Sequence, residues 1–179
     1  MATLEIRDYQ KIVPDAFHGT LLKNVAEILS EGFRLSRGPS QFLGDGIYFF
    51  ESSEWHAKNW ALRHRERGTD RIAVIQAIIN LGHCFDLHNA EYRGLAREIK
   101  TNLERKGTKK ITDAVVINLL ATKFTIIDSV RATYISTEHG RGQRIFEGSR
   151  FFEYVQLMIC VRKVENITNP FMVYSGYGS

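Results

Sequence analysis

Proline is scarce in this chain of 179 residues, with only Pro14, Pro39 and Pro170, so no rigid proline-rich linker divides it. Cysteine is scarcer still. Cys84 and Cys160 are too few to staple a fold of this size, and both sit in apolar, strand-like surroundings. Two buried, reduced thiols in a cytoplasmic protein are the expectation. The six histidines are scattered and no Cys/His group has zinc spacing, which argues against a structural metal. No apolar run approaches the ~20 residues of a membrane span. The longest, at 72–79 and 155–161, are strand-sized and interrupted by Gln76 and Gln156. The opening Met-Ala-Thr-Leu-Glu-Ile-Arg-Asp has no basic segment leading into an apolar one, so no secretory signal is expected. Internal repeats and low-complexity tracts are absent.

What is present is the balance of an ordinary globule, 44% hydrophobic and 25% charged. That is ample apolar material for a core, and the length suits one domain spanning 1–179. A net charge of +4 and a pI of about 9.1 permit an anionic partner without demanding one.

The patterning predicts a short strand at 16–20, then a helix at 21–33. In that helix Leu22, Val25, Ile28 and Leu29 share a face, and Gly32 stands at the C-cap. A strand at 46–50 follows a glycine turn. Ser52 or Ser53 then caps a helix running through Trp55 and Trp60 to about residue 67. A buried strand is expected at 72–81, and helices at 90–106 and 112–123. Later strands are expected at 125–135, 144–146, 151–161 and 167–173, all rich in β-branched and aromatic residues. Strands at both ends with helices toward the middle make an α+β class.

Three segments carry functional side chains. His18-Gly19-Thr20 combines an imidazole, a backbone open to close approach and a hydroxyl, although a strand-end turn with a helix cap would use the same residues. Gly44-Asp45-Gly46-Ile47-Tyr48-Phe49 is a tight turn into a strand, with Tyr48 on the face opposite Ile47 and Phe49. Tyr48 suits either stacking on a flat ring or a core position. Phe152-Glu153-Tyr154-Val155-Gln156 opens an apolar strand with a carboxylate and places an amide inside it that needs a partner. Cys84 next to His83 reads as a structural thiol, because neighbours in a strand face opposite ways. Asp128 and Arg131, three apart in a strand, are assigned no role.

Taken in order, these segments resemble a known family. The run His18-Gly-Thr-Leu-Leu-Lys-Asn-Val-Ala-Glu-Ile-Leu-Ser-Glu-Gly-Phe-Arg34, then Gly44-Asp-Gly-Ile-Tyr-Phe49 and Ala57-Lys-Asn-Trp60-Ala61, is similar to the NAD-binding half of poly(ADP-ribose)-polymerase-like ADP-ribosyltransferases. Phe152-Glu153-Tyr154-Val155 is similar to the family's third motif. The resemblance implies a split β-sandwich, with two antiparallel sheets and NAD⁺ in the cleft, and with residues 86–124 as a helical insertion or flank. It implies that His18 bonds the adenosine ribose, Gly19 holds the nicotinamide amide through its backbone, and Tyr48 stacks on the nicotinamide with Trp60 closing the other face. Thr20, Arg34 and Gly46 complete the NAD⁺ contacts. Glu153 would bind the nicotinamide ribose, with Gln156 and Glu147 as rivals for that third catalytic position. A non-carboxylate there favours transfer of single ADP-ribose units over polymer growth.

With 17 residues ahead of His18, a toxin-like transferase restrained by an antitoxin protein, in a toxin–antitoxin or phage-defence module, is expected. Basic segments at 63–67, 106–110 and 141–150, with Tyr134, Phe146 and Phe151 nearby, place RNA ahead of protein as acceptor. The alternatives are a protein-directed transferase, an NAD⁺ glycohydrolase, and a silent module that binds ADP-ribose or nucleic acid.

Overall fold

The computed structural model describes residues 5–38, 40–65, 68–135 and 144–177. Its elements in chain order are β1 (Ile12–Leu21), α1 (Val25–Glu31), β2 (Ile47–Glu51), α2 (Glu54–Arg63), β3 (Ile72–Asn80), β4 (Cys84–Asp86), α3 (Ala90–Arg105), α4 (Asp113–Lys123), β5 (Ser129–Ile135), β6 (Val155–Val161) and β7 (Ile167–Gly176). The α+β class read from the sequence is the class of the structure. The strands form one seven-stranded sheet in the order β4-β5-β6-β2-β1-β3-β7. The resemblance implies a split pair of antiparallel sheets, and the two halves meet at the β1–β2 pairing. The ladder runs on through that pairing, antiparallel throughout except for the β4–β5 pair.

β3 explains why the sheet is covered on both sides. Ile72, Ala73, Val74 and Ile75 are all fully buried, and a strand apolar at consecutive positions must bury both faces. Val74 joins one core with Phe85, Tyr92, Leu120, Val130 and Met158. Ala73 and Ile75 join the other, with Val25, Phe33, Phe49, Ile79 and Ile159. Of the helices over the first core, α4 buries Ala114, Val116, Ile117, Leu120 and Ala121. α3 contributes Tyr92 and Ile99, and the Tyr92 ring stacks on Phe85 at 5.0 Å.

Several helix ends follow directly from the sequence. Ser53, Asn89 and Thr112 cap α2, α3 and α4, each accepting a backbone N–H from the first turn. α1 stops at Gly32, whose φ of +91° lies where a side chain is disfavoured. Pro14 falls at the register shift between Val13 and Ala16 in β1, where a missing ladder donor costs least.

Other boundaries moved. The helix expected at 21–33 is a short 3₁₀ turn at Leu22–Asn24 followed by α1. Among the described residues no strand forms at 144–146, where Arg144 makes an isolated bridge with Phe152. β6 begins at Val155 rather than at 151. Residues 66–67 and 141–143 of the basic segments lie outside the described residues.

Arg131 and Asp128, given no role from sequence, organise two ionic clusters. Arg131 donates from Nε and Nη2 to the two carboxylate oxygens of Glu51 at 2.7 and 3.0 Å, and from Nη1 to Asp86 Oδ2 at 3.0 Å. Asp86 also accepts from the backbone and ring of His88 at 2.9 and 2.6 Å. Asp128 accepts from His83 and pairs with Lys163. No helix among the described residues is long and apolar enough to cross a membrane.

Candidate active site

The central feature is a gap inside the sheet. β1 and β2 share two ladder pairs, Ala16 with Glu51 and Phe17 with Phe50. Beyond Phe17, β1 continues to Leu21 beside β3, while β2 runs beside β6. The strands therefore part at His18. The His18 ring spans the opening, with Nδ1 2.9 Å from the Tyr48 carbonyl oxygen. A carbonyl only accepts, so Nδ1 carries the hydrogen and Nε2 keeps a lone pair. Burial lowers the His18 pKa against the opposing pull of that bond, leaving a neutral imidazole at pH 7. Phe33 and Phe49 pack on the ring at 5.2 and 5.6 Å.

Cross-strand neighbours share a face. His18 pairs with Ile75 of the second core and Gly19 with Val74 of the first, so the two residues present themselves to opposite sides of the sheet. On the His18 side lies a groove of about 280 Å³ lined by His18, Asn24, Glu27, Ile28, Phe33, Arg34 and Ser36. Arg34 is paired with Glu27 and, at 3.2 Å, with Glu31. Thr20 Oγ1 accepts from Asn24 Nδ2 at 3.2 Å.

On the other side α2 lies directly on β1. A Cβ at Gly19 would stand 2.0 Å from the Ala57 carbonyl oxygen and 3.2 Å from Ala61 Cβ, so only glycine allows this approach. Gly19→Ala should push α2 outward and cost about 3 kcal/mol, read as a lower melting temperature. Unchanged stability would mean that α2 sits farther from β1 than described.

Tyr48 stands on this same side. Its hydroxyl donates to the Gly44 carbonyl at 2.8 Å and accepts from the Leu43 N–H at 2.9 Å, and burial pushes its pKa up. Phe42 bridges Tyr48 and Tyr134, with ring centroids 5.7 and 5.0 Å away. Trp60 stacks on His64 at 4.0 Å and tilts toward Phe50 at 6.2 Å. Gln156 is opposite Tyr134 in the ladder. In β6 it shares the face of Met158 and Cys160, the partners of Phe50 and Tyr48. It lines a narrow cleft with Phe50, Trp55, His56, Asn59, Trp60, Arg63 and Tyr154.

The structure thus puts His18 and Arg34 in one groove, and Gly19, Tyr48, Trp60 and Gln156 on the opposite side. The two sets meet at β1, where His18 and Gly19 are consecutive residues. Glu153 is exposed two residues ahead of β6, and Glu147 is exposed in the preceding turn. Gly46 is buried, exchanging two hydrogen bonds with Ser36, and a Cβ there would lie 2.4 Å from Cys160 Sγ. Cys84 and Cys160 are free and buried, and burial raises each thiol to about 12, well above reactive range. No three His, Cys, Asp or Glu side chains among the described residues gather as a metal site requires.

Two groups at the site had no warning in the sequence. One is His56, whose lone position in a helix matches no motif. The other is a clamp on the glycine turn. Asp45 and Asn118 exchange hydrogen bonds at 2.8 and 3.1 Å, and Arg162 donates to the Asp45 carbonyl at 2.9 Å. These partners are 73 and 117 residues away in sequence.

A sheet opened at its centre, with α1 on one side of the opening and α2 on the other, is the frame of an ADP-ribosyltransferase catalytic domain. Residues 7–143 match the poly(ADP-ribose) polymerase catalytic domain, and the chain belongs to that family. The match ends before Glu153 and Gln156. The chain is also similar to an uncharacterized protein of Methanocaldococcus jannaschii, 31% identical over 118 aligned residues that cover 58% of this chain and 54% of that protein. The chain thus aligns with about half the length of that curated relative.

Proposed function

We infer that the protein is an ADP-ribosyltransferase that breaks the bond between nicotinamide and ribose in NAD⁺ and passes single ADP-ribose units to a macromolecular acceptor. The observation that carries this reading is the neutral His18 ring bridging β1 and β2, with a groove on one side and an aromatic cleft on the other. In this assignment the adenosine end lies in the groove, where Nε2 of His18 accepts from a ribose hydroxyl and Arg34 and Thr20 stand near. The nicotinamide end lies across the β1 edge, with the Gly19 backbone on its amide and Tyr48 and Trp60 about its ring.

Loss of nicotinamide develops positive charge on the ribose, as in glycoside cleavage. Nicotinamide leaves as a neutral ring, so no strong acid is needed. Gln156 supplies an amide dipole where the charge appears and a hydrogen-bond partner for a ribose hydroxyl. An amide in place of a carboxylate is the reason to favour single-unit transfer over chain growth.

RNA is placed ahead of protein as acceptor. The support is the +4 charge and the segment before β6, where Phe146 and Phe151 are 63% and 70% exposed beside Arg144 and Arg150. Exposed rings beside cations suit unstacked bases. The biological setting proposed is a cytoplasmic toxin held in check by an antitoxin protein, within a toxin–antitoxin or phage-defence module, with residues 1–179 as one catalytic domain and no metal or membrane required. Water as acceptor, giving an NAD⁺ glycohydrolase, is the second reading, since the same cleft serves it.

Incubation with NAD⁺ labelled in the adenylate, alone and with RNA, DNA or cellular protein, separates these outcomes. Label in RNA is expected. Label confined to a protein band removes the RNA acceptor. Nicotinamide release with no labelled macromolecule leaves the glycohydrolase, and no NAD⁺ consumption at all removes the enzyme reading. Induced expression should arrest growth, and His18→Ala should relieve the arrest.

A further inference from the structure

We propose that His56 is the general base that takes the proton from the acceptor nucleophile, an assignment that rests on the transferase reading above. When nicotinamide leaves, its ring nitrogen keeps the electron pair of the broken bond. A lone pair on the acceptor oxygen or nitrogen forms the new bond to the ribose carbon. As that bond forms and the nicotinamide bond breaks, the hydrogen on the acceptor atom departs as a proton, and the reaction balances only if something receives it. The residues lining the cleft beside Gln156 offer few choices. Phe50, Trp55 and Trp60 have no basic atom, Asn59 and Gln156 are amides, Arg63 is a guanidinium and Tyr154 a phenol. His56 is the one group among them with a lone pair basic enough to accept a proton and release it again.

Its ring is also held in place. Ser53, the cap of α2, lies 2.8 Å from Nδ1 through its hydroxyl. Phe50 stacks against the ring at 5.9 Å and 22°, and Trp55 meets it edge-on at 4.9 Å. With Ser53 Oγ acting as an acceptor toward both the His56 backbone N–H and Nδ1–H, Nε2 keeps the lone pair for chemistry. The ionisable groups that share the cleft are Arg63, from the same helix, and Tyr154, from the segment ahead of β6, while β2 and β6 contribute the non-titrating Phe50 and Gln156. Burial first, and the Arg63 charge second, lower the His56 pKa from its ordinary 6.5. The ring is therefore uncharged at neutral pH and ready to accept.

The test follows nicotinamide release from NAD⁺ against pH, in the presence of cellular RNA, for the full chain and for His56→Gln. The parent should show a rate that falls on the acid side, below pH ~6.5. His56→Gln should be slower by about 10²-fold at neutral pH and should lose that acid limb, while its NAD⁺ affinity, read by tryptophan fluorescence, is unchanged. If His56→Gln does not fold, His56→Asn, which retains a polar atom near Ser53, is measured in the same way. A variant that keeps both the parent rate and the acid limb overturns the assignment of His56 and leaves the transferase reading standing. A parent that releases no nicotinamide overturns both.

Discussion

Replacing Arg131 with alanine is expected to cost about 3–5 kcal/mol of stability. The Arg131 side chain is 14% exposed, and its partners Glu51 and Asp86 are 11% and 10% exposed. Among the described residues, removing the guanidinium leaves Glu51 with only the half-exposed Lys11 ammonium at 3.6 Å and Asp86 with only His88, in a site that water barely reaches. At roughly 2–4 °C per kcal/mol for a chain of this size, the melting temperature should drop by about 10 °C. The cluster ties β2, β4 and β5 together, so the loss should appear as unfolding of the whole sheet. A second variant separates charge stranding from lost packing. Arg131→Met combined with Glu51→Leu and Asp86→Leu removes both signs together and should recover part of the loss. A change below about 1 kcal/mol in Arg131→Ala would mean that water reaches the cluster freely.

The same cluster sets an acid limit. Burial alone would raise the Asp86 pKa, but hydrogen bonds from the His88 backbone and ring and from Arg131 outweigh it and hold the carboxyl below its ordinary 3.8. A carboxylate depressed in the folded state adds stability above its unfolded pKa and loses it as pH falls through the folded value. The contribution is therefore complete at neutral pH and disappears only below about pH 4. Arg131→Ala should shift acid unfolding toward higher pH.

The second large effect concerns the third catalytic position. Gln156→Ala is expected to slow NAD⁺ consumption by about 10²–10³-fold, the usual cost of deleting one positioned polar group from a charge-developing site. Glu153→Ala should stay within about twofold, because Glu153 stands in solvent ahead of β6 while Gln156 faces the cleft with Trp60. Glu147→Ala, in an exposed turn, should behave like Glu153→Ala. Nicotinamide release is the readout for all three. A large loss in Glu153→Ala with none in Gln156→Ala would transfer the role to the loop.

That choice shows what the sequence makes legible. Local patterns survive folding well. The apolar run of β3, the caps at Ser53 and Thr112, and the helix end at Gly32 all depend on interactions within a few residues. The phase of β6 does not. Phe151, Phe152 and Tyr154 have the aromatic content of a strand, yet this stretch is bends and a bridge, and pairing with β5 begins at Val155. Gln156 was visible as an amide needing a partner, but the face it shares with Tyr48 and Phe50 depends on the β2–β6 register. Asp128 and Arg131, three apart in the expected strand, do not face each other, and the true partners of Arg131 lie 45 and 80 residues away. The continuous sheet was hidden for the same reason, since the two β1–β2 pairs that join its halves leave no local trace.

Sheets usually expose a bare edge only at their rims, where it invites unwanted strand addition. Here the parting of β1 from β2 creates an internal edge over residues 18–20, roofed by α2. The unpaired donors and acceptors of that edge thus face the interior of the molecule rather than its rim, out of reach of a passing strand. The backbone chemistry that would make an outer edge sticky toward other chains is here enclosed within the sheet, under α2.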